Sequence, residues 1–268
     1  MIPWRLIPYK AYHAFENMSF DETILESYQQ SKLPVLRLYS WRPAGISIGK
    51  YQDAAECLNI ENCKKDGVSI VRRMTGGGAI LHNNELTYSL VCSEEDIGCA
   101  GMPVKKSFEK LNSFILRFYK GFELKPRYAR DIRPSIPTGE RAAFCFSGSE
   151  EYDVMIEGKK IGGNAQARRK NIIFQHGSLP LSVDEEKTSK YFRTHINYNN
   201  FTSLEELTDR KISLYEAVER FIRAFDCKFK FALKEIDLTF DEKNSAEKLM
   251  NKKYSKDEWN YKNITVEA

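Results

Sequence analysis

The sequence is poor in most features that would assign a chain to a class at first sight. No apolar run approaches the about 18 residues that a membrane-crossing helix needs, so no transmembrane segment and no membrane partner are expected. The opening Met1-Ile2-Pro3-Trp4-Arg5 lacks the basic-then-apolar order of a secretory leader. Net charge is only +4, from 41 basic and 37 acidic side chains. That is too little to argue for nucleic acid, and it favours acidic protein partners only weakly. The six cysteines (Cys57, Cys63, Cys92, Cys99, Cys145, Cys227) form no C-x-x-C pair, and the four histidines are dispersed. Neither a zinc site nor a disulfide framework fits that spacing. No metal is expected, and reduced thiols in a cytoplasmic protein are the default. Both common phosphate loops are missing as well: there is no G-x-G-x-x-G and no glycine loop ending in Gly-Lys-Ser/Thr.

What remains is an ordinary globular composition, 42% hydrophobic and 29% charged, over 268 residues. That length supports one domain over 1–268, with a short helical tail from about 240. Helical periodicity marks 14–31 and, most clearly, Lys106 to Lys120, where Phe108, Leu111, Ile115 and Phe118 recur at three and four. Leu214, Val218, Phe221, Ile222 and Phe225 form a second stripe, and Cys57 to Asp66 suggests a further helix. Capping-box spacing is present at Ser203/Glu206, Ser213/Glu216 and Asn244/Glu247. Extended runs at Val35 to Tyr39 and Ile46 to Ile48 read as one hairpin, and Tyr152 to Ile156 with Lys160 to Ala165 as another across Glu157-Gly158. The expected fold is α/β (α+β), with mixed, largely antiparallel sheets surrounded by helices.

The segment from 68 to 92 carries the first functional signal: strand, basic pair Arg72-Arg73, turn Gly76-Gly77-Gly78, then Ala79-Ile80-Leu81-His82 and a further strand Leu86 to Cys92. Three residues without Cβ atoms let backbone N–H groups approach a ligand closely. With two guanidinium groups beside them, a phosphate, a carboxyl or a thin acyl chain would suit the place. Cys145 is the second signal. It lies among small residues just before a hairpin bearing Lys159 and Lys160. A thiol is a few per cent ionised near neutrality, and an adjacent ammonium raises that share, so a Cys–Lys pair can attack a thioester. Spacing alone equally allows a buried thiol and a solvated lysine. His82 and His176 read as hydrogen-bonded structural residues on their local context.

Two long motifs then tie these signals together. Arg72-Arg73-Met74-Thr75-Gly76-Gly77-Gly78-Ala79-Ile80-Leu81-His82 followed by Glu85-Leu86-Thr87-Tyr88-Ser89 resembles the signature of the biotin/lipoate A/B protein ligase superfamily. So does Glu157-Gly158-Lys159-Lys160-Ile161-Gly162-Gly163-Asn164-Ala165-Gln166-Ala167-Arg168-Arg169, with Gln175-His176-Gly177-Ser178-Leu179 as the strand after it. Weaker echoes are Asn17-Met18 with Asp21-Glu22, Trp41-x-Pro43 through Gly49 and Gln52, and Tyr254 through Trp259-Asn260.

Within that superfamily the wording around Cys145-Phe146 and Glu85 to Ser89 is similar to the octanoyltransferase type built on a ligase-like sequence. The resemblance implies transfer of octanoate from acyl carrier protein, through an acyl-cysteine at Cys145, to a lysine of the glycine-cleavage H protein or a lipoyl domain. It implies Lys160 as the residue supporting the thiolate and no cofactor. Substrate-binding residues would be Arg72, Arg73, Gly76, Gly77, Gly78, Ala79, His82, Gly163, Asn164, Ala165 and His176. Gly78 matches the ligase wording instead, which keeps an ATP- and Mg-dependent lipoate or octanoate ligase as the alternative. A non-catalytic homologue that only binds acyl carrier protein is the third.

Overall fold

The computed structural model describes residues 3–132 and 150–262. Cys145 and its loop lie outside the described residues. The first strands are β1 (Pro3–Tyr12), β2 (Val35–Trp41), β3 (Gly45–Ile48), β4 (Ser69–Arg72), β5 (Ile80–His82) and β6 (Glu85–Ser93). Then come β7 (Arg127–Tyr128), β8 (Val154–Ile156), β9 (Lys159–Lys160), β10 (Gly163–Arg169), β11 (Ile172–Pro180) and β12 (Ala232–Glu235). The helices before the gap are α1 (Ala14–Ser31), α2 (Ala54–Cys57), α3 (Ile60–Lys65), α4 (Val104–Lys120) and α5 (Ala129–Ile132). After it follow α6 (Glu185–Tyr191), α7 (Leu204–Thr208), α8 (Leu214–Phe229), α9 (Phe240–Leu249) and α10 (Asp257–Asn260).

The strands form a six-stranded sheet in the order β10-β11-β6-β2-β1-β12 and two three-stranded sheets, β4-β3-β5 and β7-β8-β9. Pairing is parallel where β1 meets β2 and β12 and where β3 meets β4, and antiparallel elsewhere among the described strands. The mixed, mostly antiparallel α/β architecture expected from the sequence is the one observed.

The alternation of side chains along β6 sets the layers. Leu86, Tyr88, Leu90 and Cys92 enter a core with Leu111, Phe114, Ile115 and Phe118 of α4 and Phe221 and Phe225 of α8. Phe114 sits 5.1 Å from Phe221 and 5.2 Å from Phe225, ring to ring. Each such buried aromatic is worth about 1.5–3 kcal/mol of transfer free energy, which explains why these two amphipathic helices cover this face. The opposite face carries Thr87, Ser89 and Val91, with period two as a strand requires. There α1 packs through Phe20, Ile24 and Leu25 on Val35, Val91 and Phe174. Both faces are therefore covered, and β6 and β11 are buried along their whole length.

Several expectations are corrected. β2 and β3 are not a hairpin: they belong to different sheets, and β3 pairs with β4 and β5. Lys160 to Ala165 is not one strand. The chain pairs β8 with β9 and turns at Gly162, whose φ is +78°. It then joins the six-stranded sheet as β10. A Cβ at Gly162 would lie 2.5 Å from the Ser178 carbonyl oxygen, so glycine is required at that crossing. Cys57 to Asp66 spans only the last residue of one short helix, α2, and the whole of a second, α3, the two being capped by the side chains of Asp53 and Asn59. Asn244 lies inside α9, whose capping box is Thr239 with Glu242. Strand β1 escaped the sequence reading because Lys10 and the partly exposed Pro8 and Tyr9 interrupt its apolar pattern.

The C-terminal segment is bound tightly to the body. Arg5 of β1 makes a two-pronged contact with Glu242 of α9, both bonds 2.7 Å. Lys253 and Tyr254 both reach Glu22 of α1. No helix among the described residues is long and apolar enough to cross a membrane.

Candidate active site

Arg72 and Arg73 are neighbours in sequence with different destinations. Arg72 is fully buried, and its guanidinium donates to the carbonyls of Gly49, Lys50, Gln52, Trp259 and Asn260. Its backbone N–H donates to Asn260 Oδ1, and its own carbonyl accepts from Trp259 Nε1 at 2.9 Å. A planar fork with five donors suits this multiple capture of carbonyls. Arg72 thus anchors α10 to β4 and does not line the cleft below.

Arg73 turns inward and organises the glycine turn. Its Nη2 donates to the carbonyls of Gly76 and Gly78 at 2.8 Å each, and its Nε donates to Thr75 Oγ1 at 3.2 Å. Gly77 has φ +92°, a region that disfavours any side chain. The turn also presses on Gly49, where a Cβ would lie 2.0 Å from the Gly77 carbonyl oxygen. Gly49 donates its N–H to Gln52 Oε1 at 2.9 Å, which accounts for the Gly49 and Gln52 signal in the sequence.

Between this turn and the polar face of the six-stranded sheet lies an open-mouthed cleft. Met18, Tyr39, Trp41 and Ile80 give it apolar wall, and Arg73, Ser47, His82, Thr87, Asn164, His176 and Ser178 give it polar groups. The glycines of its wall are Gly77, Gly163 and Gly177, with Ala165 beside them. Gly177 has no room for more, because a Cβ would lie 2.1 Å from Asn164 Oδ1.

Two buried carboxylates support the floor. Asp21 of α1 is paired with Arg37 Nη1 at 2.7 Å and accepts from Tyr39 Oη at 2.8 Å and Ser89 Oγ at 2.7 Å. Asn17 Oδ1 accepts from Arg37 Nη2. Burial opposes the charge on Asp21, but Arg37, His176 and Ser89 outweigh it and hold the carboxyl below its usual range. His176 Nδ1 stands 3.8 Å from Asp21, and its Nε2 is 2.6 Å from Thr75 Oγ1. Burial pushes the His176 imidazolium down in pKa, which leaves the ring neutral at pH 7.

The second carboxylate, Glu85, lies where β5 turns into β6. It receives His82 Nδ1 at 2.6 Å, Ser178 Oγ at 2.5 Å and the Thr87 hydroxyl. Trp41 Nε1 donates to Thr87 at 3.0 Å, so the chain of donors is complete. His82 Nε2 meets Ser47 Oγ at 2.7 Å, and its ring stacks on Trp41 at 3.9 Å and 7°. Burial works against the Glu85 charge too, yet His82, Ser178 and Thr87 hold its pKa below normal.

The structure therefore brings Arg73, Gly77, His82, Gly163, Asn164, Ala165 and His176 to one cleft. Gly76 and Gly78 belong to the same turn through the carbonyls held by Arg73, and Ala79 is packed in the core beneath it with Ile46 and Ile80. Lys160 is buried in β9 and paired with Asp153 at 2.7 Å. It is not among the residues lining the cleft. Cys145 lies outside the described residues. Among the other thiols, Cys92 is in the core with its pKa driven well up by burial, and Cys63 is pushed up to about 11. His13 caps α1, accepting from the Phe15 N–H, and is structural.

Sequence reasoning missed Ser47, Asp21, Arg37, Glu85, Thr87 and Ser178 as individual site residues. One signal was available. Glu85, Thr87 and Ser89 alternate with Leu86, Tyr88 and Leu90, a polar stripe on a strand too central to face solvent.

Comparison with known proteins agrees with this geometry. The family model described as the lipoyl protein ligase A/B catalytic domain matches residues 13–226. A protein of Anoxybacillus flavithermus named octanoyltransferase LipM is 34% identical over 97% of this chain and 98% of its own length. The octanoyltransferase LipM of Bacillus subtilis is 32% identical over the same shares. Among solved structures, a lipoate-protein ligase A bound with ATP superposes with a TM-score of 0.81 at 25% identity, covering 98% of this chain and 100% of that one. A bi-partite lipoate protein ligase of Thermoplasma acidophilum gives 0.80 at 25% identity, covering 100% and 99%. A glycine turn clamped by Arg73 over a narrow, part-apolar cleft is thus set in a fold that these ligases share, and this chain belongs to the lipoyl protein ligase A/B catalytic domain family.

Proposed function

We propose that the protein is an octanoyltransferase of lipoate biosynthesis, moving an octanoyl group from acyl carrier protein to a lysine of a lipoyl domain or of the glycine-cleavage H protein. The observation that carries this reading is full-length similarity to octanoyltransferases LipM, at 34% and 32% identity. The cleft is consistent with it. Its wall of Met18, Trp41 and Ile80 suits an alkyl chain, and its glycines leave that chain room. Burying the tail at about 0.8 kcal/mol per methylene supplies roughly 5 kcal/mol of binding. Chain-length choice then rests on where the cleft is blocked, since one methylene more changes little.

In this reading Cys145 attacks the donor thioester, and the resulting acyl-Cys145 is attacked by the acceptor lysine. Both steps break a thioester, so neither ATP nor a metal is required. Lys160, buried and paired with Asp153, supports the thiolate and the tetrahedral oxyanion. Arg73, Gly77, His82, Gly163, Asn164, Ala165 and His176 hold the acyl group. Arg72 holds the wall that bears the turn. The cytoplasm, where the carrier and acceptor proteins would be met, is the proposed compartment.

The test is intact mass after mixing with octanoyl carrier protein without nucleotide. Wild type should gain one octanoyl group and Cys145→Ala none. Acylation that persists in Cys145→Ala removes the thiol. The likeness to an ATP-bound ligase at TM-score 0.81 and the ligase-like Gly78 favour a second reading, acyl activation by ATP. Pyrophosphate release from free octanoate and ATP, with no mass gain from the carrier, would establish that one.

A further inference from the structure

Acyl transfer to lysine has a proton to dispose of. With an ammonium pKa of about 10.4, roughly one lysine in 2,500 is a free amine at pH 7. The adduct it forms must also lose a proton from nitrogen before the amide is made. Lys160 is paired with Asp153 and is not among the residues lining the cleft. A different group in the cleft is arranged to receive a proton.

Ser47, His82 and Glu85 form a hydrogen-bonded line along the cleft. Ser47 Oγ is 2.7 Å from His82 Nε2, and His82 Nδ1 is 2.6 Å from Glu85 Oε1. An ionised Glu85 can only accept, so Nδ1 of His82 carries a hydrogen and Nε2 of the neutral ring is an acceptor. The Ser47 hydroxyl therefore donates to Nε2. Arg73 Nη1 approaches the same oxygen from another side at 3.2 Å, so a lone pair of Ser47 is engaged and its hydrogen stays directed at the imidazole. The ring plane is fixed by the stack on Trp41, and Glu85 by Ser178 and Thr87. This is the arrangement of a base with its orienting carboxylate, and Ser47 and His82 both line the cleft.

We propose that His82, oriented by Glu85 and reached through the Ser47 hydroxyl, is the base that takes the proton of the acceptor lysine as its amine attacks the acyl group. The inference rests on the acyl transfer proposed above, though not on whether a thiol or a nucleotide carries the acyl group. In the thioester case the lysine nitrogen forms the new bond to the carbonyl carbon, and the carbon–sulfur bond breaks. The nitrogen proton passes to Ser47 Oγ while the Ser47 proton moves to His82 Nε2. The imidazolium, stabilised by Glu85, then returns a proton to the departing thiolate, so the products are an amide and a thiol. In this step Ser47 is a relay and not the nucleophile. Glu85 acts through His82 and is a positioning residue.

The experiment compares two acceptors in the full chain, with octanoyl carrier protein as donor. One is a lipoyl domain. The other is hydroxylamine, which is largely unprotonated at neutral pH and needs no base. The readout is the ratio of enzyme-dependent transfer to lysine over transfer to hydroxylamine. Because Glu85→Gln is nearly isosteric, it complements the bulkier change in His82→Gln. His82→Gln should lower the ratio about 100-fold or more, the low side of what a positioned base contributes, and Glu85→Gln should lower it by more than about two-fold. A ratio within about two-fold of wild type in both variants would overturn the proposal, since general-base effects are larger. Equal loss towards both acceptors would overturn it as well, leaving the trio a structural prop. A stable octanoyl ester on Ser47 would make the hydroxyl the nucleophile and end the relay. If wild type transfers to neither acceptor, the acyl-transfer reading itself fails, and this inference with it.

Discussion

Asp21 and Glu85 are buried within the same polar layer, and each accepts hydrogen bonds from hydroxyl groups. They differ in the basic group nearest to each, His176 standing farther from Asp21 at 3.8 Å. Asp21 faces Arg37, whose charge is permanent and whose guanidinium also lies 3.9 Å over the Tyr39 ring. Glu85 faces His82, an imidazole whose other ring nitrogen meets Ser47 Oγ at 2.7 Å. A carboxylate fixed by arginine can hold position but moves no proton, whereas one fixed by histidine can support proton transfer. The first centre belongs to the frame that carries α1 on the sheet. The second lies in the cleft, where Ser47 connects it to whatever enters.

The largest break in that comparison comes from Arg37→Met. It leaves Asp21 buried without its cation and should cost about 3–5 kcal/mol, the usual penalty for orphaning one partner of a buried ion pair. Urea unfolding at pH 7 reads it directly. An unchanged midpoint would show that Asp21 takes up a proton at little cost. Next comes Arg72→Lys. A point ammonium cannot serve the Gly49, Lys50, Gln52, Trp259 and Asn260 carbonyls together, so about 2 kcal/mol should be lost. Proteolysis near α10 should accelerate in step.

Much of the fold was legible because its helices are amphipathic. Phe118 and Phe221 could be assigned to the core from spacing alone. Register across sheets was not legible: nothing local says that β3 leaves β2 to pair with β4, since that choice depends on contacts far apart in sequence. In the cleft, the glycine turn and the Gly163 to Ala165 segment were visible as motifs. The fates of Arg72 and Arg73 were not, because adjacent residues on a strand point to opposite faces and only the packed structure says what each face meets. Glu85 was read as part of a word and not as a charge, since its partners His82 and Ser178 come from different strands.

Glu85→Gln sharpens the contrast at smaller cost. It keeps shape and one acceptor oxygen but turns an NH2 towards hydroxyl donors, so about 1–2 kcal/mol should be lost at pH 7. Its pH signature matters more. The Glu85 pKa is depressed in the folded state, so the carboxylate contributes stability above the ordinary carboxyl pKa of about 4.3 and loses it as pH falls through the lower folded value. The variant should lack that part of the acid limb. If wild type and variant fall in parallel below about pH 4, the carboxylate is not the group being titrated.

The smallest effect separates the two centres at milder pH. His176 faces Asp21 at 3.8 Å and Thr75 at 2.6 Å, and it feels Arg73 and His82 as cations or potential cations. Burial and those charges outweigh Asp21 and depress its pKa, so the unfolded chain binds a proton there before the native one does. Stability from a neutral His176 is complete above the ordinary histidine value of about 6.5 and declines as pH falls below it. His176→Gln should therefore flatten the urea midpoint between pH 7 and pH 5, while leaving the acid limb set by Asp21 and Glu85 in place. A variant that kept the full wild-type slope in that window would show that His176 is not the group being titrated there.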